Sequence, residues 1–558
     1  MAERPRRPGV AVIVLGLLVV APLSAGTAVA QEASADVLRF EGGPEVAFAL
    51  DDGRGFADVL EFRATGDGEM TMVNDVTMDD YLSGVAEMPP RWHPEALKAQ
   101  AVAARTYAWR SLQRGTFDDR GYDICATVDC QVFAGTQVVE NRPQGERWRE
   151  AVLDTSGEVL LDGEGRPILA RYFSTSGGQT LPNDLVFPTT GAFPYLVGVE
   201  DPDDEISPLH RWEVEFTREE FEDVLSRGDT LSAAVPVAAV ERRGDLVDPR
   251  AEVVVIGEDG TEASVSAVAF REFVSRIAAD RHPDRFPGRR DDGRPMPTTM
   301  PSSRFEVEVG DDSVLIEGRG WGHGVGMGQY GAHGKALRGL DYDDILADYY
   351  NGLIPERHDQ VPERVRVGLD VASEVEVRGD GPVRILADGT EVAERALGGW
   401  RIEAADGSLR LVPPDGRDED LSVTPTRLAT GLAADDQRVV VETEVNKPVE
   451  LALHVEDDQG ETVLVRDLGV ADPGDHAATW RFVDADEQQV ADGDYRLVLV
   501  ATDEQGTRDG EPVSVTVERA RDERGVPGGQ EPSLVLAAVA LLLLAGTAVG
   551  VARRRRRA

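Results

Sequence analysis

An α+β domain, followed by all-β domains and a C-terminal transmembrane helix, is the fold class this sequence predicts, and three observations carry it. Short apolar or alternating runs over residues 35–85 lead into one long, strongly helical stretch that begins at Pro94. From about residue 364 to 517 the pattern turns to short alternating strands with Gly-Asp turns between them. Residues 533–552 are then an uncharged stretch closed by the five arginines of 553–557, which reads as one membrane span with its basic flank inside.

Taken in chain order, residues 1–30 carry Arg4, Arg6 and Arg7, an apolar run over 10–20, and Ala28-Val29-Ala30 before Gln31. That is the layout of a cleavable secretory signal, so the mature chain is expected outside the cytoplasm, held at the cell membrane by its C-terminal helix. Runs such as 46–50 and 70–73 read as strands. Pro94 suits a first helical position, the following Ala, Leu, Lys, Gln and Arg residues are strong helix formers, and Gly115 supplies a stop. Leu97, Ala101, Ala104, Ala108 and Leu112 share one face of this helix. Strands are expected near 168–174 and 211–216, and helices near 218–226 and 268–278. Residues 287–301 read as a polar, proline-punctuated linker or long surface loop. Two strands, 304–309 and 313–317, form a hairpin around Gly310-Asp311-Asp312, and a helix over 342–350 is capped by Asp341 and closed by Gly352. The first domain thus runs over 35–355, and a small β-domain over 360–415. A β-sandwich follows over 425–517, then a charged linker over 518–532, the span over 533–552 and a basic tail over 553–558.

The 558 residues hold 102 acidic and 58 basic side chains, a formal net charge of −44, with 41% hydrophobic residues. Such a field repels nucleic acid and keeps the chain soluble, and the apolar fraction is enough for several cored domains.

Chemistry concentrates at Glu87, which stands just before the long helix between Val85, Ala86 and Met88, Pro89, Pro90. Partial desolvation there raises a carboxyl pKa and keeps part of it protonated near neutral pH, as a general acid requires. Glu95 competes, but its place in the first helical turn explains it as a carboxylate favourable to the helix dipole.

The stretch Glu87-Met88-Pro89 with Glu95-Ala96-Leu97-Lys98-Ala99-Gln100-Ala101-Val102-Ala103-Ala104-Arg105-Thr106-Tyr107 closely resembles the signature of the SpoIID/LytB family of secreted peptidoglycan-remodelling proteins. Two further blocks agree. Tyr172-Phe173-Ser174-Thr175-Ser176-Gly177-Gly178, continuing to Pro194-Tyr195-Leu196 and Asp201-Pro202, resembles the second, and residues 322–332, from Gly322-His323-Gly324 to Gln329-Tyr330-Gly331-Ala332, resemble the third. The resemblance implies a SpoIID-type domain with peptidoglycan glycan strands as partner. It leaves two activities open: a lytic transglycosylase, or an enhancer of a cell-wall amidase. Sporulation is associated with relatives. For the transglycosylase, Glu87 would act alone as acid and then base, and no cofactor is required.

Ser174, Thr175, Ser176, Gly177 and Gly178 make a hydroxyl-rich turn suited to lining a sugar groove, with bonding to its own backbone as the competing reading. His323 between glycines, Gln329 and Tyr330 as hydrogen-bonding and stacking groups, and Arg105 on one helix face with Lys98 are candidate substrate contacts, Arg105 being otherwise simply solvated. A turn-packing role for His323 and a core role for Tyr330 are the competing readings. Cys125 and Cys130 are the chain's only cysteines. They resemble a family pair that binds zinc in some members with a histidine beside the second cysteine, where this chain has Asp129. A local disulfide is the preferred reading in an oxidising exterior, and zinc held by Cys125, Cys130 and Asp129 is the alternative. The sandwich, with Trp480 and Asp492-Gly493-Asp494-Tyr495, resembles the immunoglobulin-like domain of flagellar-hook capping proteins. The expected groove lies between the helix from Pro94 and the loop over 322–328, with Glu87 and His323 facing one cavity.

Overall fold

The computed structural model describes residues 33–519, except 291, 292, 406, 418, 434 and 435, together with 535–538. The signal expected over 1–30 and the basic tail over 553–558 lie outside the described residues.

Period-two alternation builds the first layer. Strands β1 (Ala33–Ala35), β2 (Val37–Leu50), β3 (Gly55–Ala64) and β4 (Met70–Thr77) open an eleven-stranded sheet in which β2, β3 and β4 form an antiparallel meander. Leu38, Phe40, Phe48, Leu60 and Phe62 turn one face into core. The sheet is completed from far along the chain. Arg364–Ala372 pairs antiparallel with β4, and Glu374–Gly379 and Val383–Ala387 share the other edge of β2. Ser408–Val412 pairs with β1.

The small β-domain expected over 360–415 is therefore not a separate body. Val375, Val377, Trp400, Ile402, Leu409 and Leu411 enter the same core as Leu38 and Phe62. The reason is size, since some fifty residues of short strands bury too little surface alone. The α+β class is corrected with it: the structure is mostly β with few helices.

Helices α1 (Met78–Ser83) and α2 (Pro94–Arg114) follow β4. His93 caps α2 by accepting the Glu95 N–H at 3.3 Å, and Gly115 ends it in the left-handed region at φ 58°. Burial extends beyond the expected face to Ala96, Ala99 and Ala103. Alanine side chains let Gly145–Asp154, Gln329–Leu337 and Tyr342–Tyr349 pack closely around the helix. A short strand, β5 (Ile124–Cys125), then lies parallel to Arg364–Ala372 at the sheet's edge.

Residues 212–318 form a module with its own core of Phe216, Phe221, Phe270, Phe286, Phe305 and Ile316. The expected hairpin is Phe305–Val309 paired with Ser313–Gly318. Of the two readings of 287–301, linker or long surface loop, the described residues form a loop of this module, anchored by Met296 and Met300 buried in its core. Beyond the first sheet, strands over 423–519 make a two-sheet sandwich around Trp480, Leu451, Leu453 and Tyr495. Two ion pairs to the first sheet, Arg378 to Asp472 and Arg395 to Glu450, are partly exposed.

The C-terminal transmembrane helix, and the membrane anchoring drawn from it, are corrected. Among the described residues no helix is long and apolar enough to cross a membrane. The described part of that stretch, Val535–Ala538, is a strand paired antiparallel with Val513–Arg519. Val, Leu and Ala runs satisfy a strand as readily as a helix when a sheet edge offers partners.

Candidate functional site

Glu87 is positioned by backbone pairing. Behind α1, Gly84 packs so tightly under Phe133 that an added Cβ would lie 2.4 Å from the ring. Val85 bridges to Phe133, and the Ala86 N–H donates to the Val132 carbonyl at 2.8 Å. This short antiparallel run sets the Glu87 carboxylate over the next donor, the Val132 N–H, which Oε1 accepts at 2.8 Å. Burial pushes the Glu87 carboxyl above its ordinary value, and the Val132 hydrogen bond offsets part of that rise.

Bridges between distant segments close a cleft around this group. Tyr172-Phe173 runs parallel to Met327-Gly328, Thr175 bridges to Trp321, and Leu181 to Val325. Gly326 is required here: its φ is 79°, and an added Cβ would sit 2.0 Å from the Arg171 carbonyl oxygen. The cleft holds about 890 Å³, and its lining includes Glu87, Trp92, Tyr172, Ser174, His323, Gln329 and Tyr330. All three sequence blocks thus meet at one cavity. Its only carboxylates among the described lining residues are Glu87 and the exposed Asp129.

The candidate residues divide between cleft and scaffold. His323 packs against Phe173 and Phe187, each with ring centres 5.4 Å away, and its Nδ1 accepts the Val325 N–H at 3.1 Å. Burial, with Arg171 nearby, pushes its pKa down to about 3, so the ring is neutral at neutral pH. Gln329 donates to Gln100 Oε1 on α2 at 3.3 Å. Tyr330 meets Trp92 edge-on at 4.6 Å, while Trp92 stacks on His333 at 4.7 Å.

Ser174 reaches the cleft, but Thr175 and Ser176 are buried and are not among its lining. The backbone N–H groups of Ser176 and Gly177 are held by Asp204, both at 2.8 Å, and the Gly178 N–H is held by Ser176 Oγ at 3.2 Å. Arg105 is fully buried away from the cleft. Its guanidinium donates to the carbonyls of Thr155, Val152 and Glu158 and pairs with Asp79 at 3.3 Å, which fastens α2 to the segment after it. Glu95 accepts the Tyr342 N–H at 3.0 Å and so also serves the scaffold.

Residues 66–161 match the Stage II sporulation protein family. Stage II sporulation protein D of Bacillus subtilis (strain 168) is 31% identical over 290 residues, covering 50% of this chain and 74% of that protein. The chain belongs to the SpoIID family. The Stage II sporulation protein D of Bacillus amyloliquefaciens is 29% identical over 50% of this chain and 74% of its own. The Amidase enhancer of Bacillus subtilis (strain 168) is 27% identical over 48% and 38% respectively. Residues 429–505 match the FlgD Ig-like domain. SpoIID membership gives the chain a cell-wall-related role.

Within this SpoIID domain the cysteine pair is a disulfide, Cys125 to Cys130, with Cα atoms 5.5 Å apart. Zinc does not fit there. Both sulfurs are bonded to each other, Asp129 is exposed, and among the described residues no three His, Cys, Asp or Glu side chains gather to hold a metal. Asp129 and Cys130 instead form part of the cleft rim.

Several groups near Glu87 went unassigned in the sequence. Tyr81 donates to Gln131 Oε1, and Gln131 Nε2 donates to Tyr172 Oη, both at 2.8 Å, which makes a buried polar chain under the cleft. Tyr107 and Arg171 line the cleft beside it. Tyr107 and Tyr172 stand inside the recognisable blocks, so position there was the available signal; Gln131 and Arg171 gave none.

Proposed function

We propose that this chain is a peptidoglycan lytic transglycosylase that cleaves MurNAc–GlcNAc bonds in glycan strands, with Glu87 as its acid and base. The observation that carries the reading is a single half-buried carboxyl, raised by burial, in an open cleft lined by aromatic rings, a hydroxyl and amides. Protonated Glu87 gives its proton to the glycosidic oxygen as the C1–O bond breaks. The sugar's own C6 hydroxyl then bonds to C1, and its proton passes to the Glu87 carboxylate. Atoms balance without water: the products are a new 4-hydroxyl end and a 1,6-anhydro end, and the acid is regenerated. A second carboxylate, which glycosidases of the hydrolytic type require, has no task here. Neutral His323 fits a hydrogen-bonding or packing role better than a proton-transfer one.

The likeness to the Amidase enhancer favours a second reading, in which the cleft binds wall glycan and stimulates a cell-wall amidase without cutting. Incubating the full chain with stripped and with intact peptidoglycan, followed by mass analysis, separates the two. New 1,6-anhydro ends are expected. Their absence, with stem-peptide release increased only when an amidase is added, would replace the first reading by the second.

A further inference from the structure

A second cavity, of about 300 Å³, opens between the first sheet and the helices α1, Gln137–Glu140 and Gly145–Asp154, and it shares no lining residue with the Glu87 cleft. Asn74 on β4 lines it and is wholly buried. The Asn74 amide N–H groups donate to the carbonyls of Ala57 at 2.9 Å and Val59 at 2.8 Å. Those carbonyls flank Asp58, whose φ of 69° marks a place where the pairing of β2 with β3 slips. Stitching that bulge accounts for both donors. It does not account for Oδ1, which is buried with no hydrogen-bond partner among the described residues. With both N–H groups turned to β3, Oδ1 is the polar atom that Asn74 presents to the cavity. A buried acceptor left unpaired costs stability that an apolar side chain of like size would not.

The charge around that acceptor has one sign in excess. Asp80, Glu140 and Glu146 line the cavity against a single guanidinium, Arg149, and all four are exposed at its mouth. Ser83, buried on α1, spends its hydroxyl proton on the Asp79 carbonyl at 2.8 Å and so offers the cavity lone pairs only. The walls include Ala57 and Phe133, which suit an alkyl stem. An occupant must therefore donate N–H bonds, carry positive charge and be small. A guanidinium is a planar fork made for paired oxygens, whereas an ammonium is a compact charge with three donors that separate acceptors can share. We propose that this cavity is a second binding site, which takes a primary alkylammonium group on Asn74 Oδ1 and Ser83 Oγ, with Asp80, Glu140 and Glu146 supplying the opposite charge. The site stands whether or not the Glu87 cleft cuts glycan.

The test is a ligand-observed NMR titration of the full chain with four small molecules. Butylammonium has both charge and donors, tetramethylammonium has charge without N–H, butanol has the stem without charge, and N-acetyl-lysine methylamide carries the ammonium on a peptide unit. Butylammonium is expected to bind about tenfold tighter than tetramethylammonium or butanol, the scale of one charge-assisted hydrogen bond. The lysine derivative separates the two sources of the group. Affinity within about threefold of butylammonium assigns the site to peptide side chains, and affinity lower by about tenfold or more assigns it to free amines. Asn74→Leu should remove about tenfold of the butylammonium affinity. Because Asn74 also stitches the bulge, the pair Glu140→Gln with Glu146→Gln, both exposed, gives a second readout, with a loss of about threefold and an unchanged thermal transition. Equal binding of tetramethylammonium and butylammonium would reduce the effect to the field of an acidic chain and overturn the site. Absence of butylammonium binding, or affinity unchanged in the glutamine pair, would overturn it as well.

Discussion

At the scale of single residues, the cleavage proposed above makes two demands on Glu87 that usually conflict. Its proton must be available, and its carboxylate must be tolerated after the proton leaves. Burial supplies the first by raising the pKa, and the Val132 N–H supplies the second. A raised carboxyl has a definite linkage sign. The neutral form is favoured in the folded chain, so that contribution is complete below the ordinary glutamate value and is lost as pH climbs through the raised one. Glu87→Gln should therefore abolish 1,6-anhydro product while its melting temperature at pH 7 equals or exceeds that of the unsubstituted chain, the difference closing toward pH 4. Cleavage by the unsubstituted chain should fall as pH passes the raised value. Undiminished product from Glu87→Gln would remove it from the chemistry. Glu87 was legible because its apolar neighbours and its motif agree. Arg105 was not, because alanines on several faces of α2 conceal which side is outward.

At the scale of elements, two tight joints hold the third block and the cleft rim. In the helix Gln329–Leu337, Gly331 lies where an added Cβ would come 2.1 Å from Tyr349 Oη and 2.3 Å from Asp201 Oδ2. Tyr349 donates to Asp201 Oδ1 at 2.7 Å across that space. Replacing glycine by alanine in an unobstructed helix gains about 1 kcal/mol, whereas overpacking costs about 1–3 kcal/mol and a broken buried hydrogen bond adds to it. Gly331→Ala should thus lower stability by about 2 kcal/mol, read from the denaturant midpoint; an unchanged or raised midpoint would contradict the packing argument. The second joint is the Cys125–Cys130 loop. Replacing both cysteines by serine should cost about 2 kcal/mol in the loop-entropy model. It should also lower cleavage, because Val132 follows two residues after Cys130. Reductant should bring the unsubstituted chain to the same values. The helices at these joints were legible from caps and stops, but the close approaches were not, since a glycine in a helix does not reveal what occupies the space beside it.

At the scale of the molecule, strands were easier to foresee than their partners. Alternation reports which face of a strand is buried, yet Val377 or Trp400 carries no mark saying that it packs beside β2 rather than within a unit of its own. A chain ending at residue 355, where the sequence resemblance stops, should consequently fail to fold, because β2 and β4 each lose a neighbour. A chain ending at 420 should keep a cooperative thermal transition, since partly exposed ion pairs to the sandwich are worth at most about 1 kcal/mol each. Folding of the shorter chain would refute the shared sheet. The parallel pairing of β5 with Arg364–Ala372 carries a consequence in time. Asp123, just ahead of that strand, accepts the N–H of Arg366, 243 positions later. At synthesis rates of about 5–20 residues per second, that partner emerges roughly ten to fifty seconds after its mate. Until then the rim beside Glu87 lacks its seat, so the cleavage proposed for this cleft is expected only once the whole domain has been delivered.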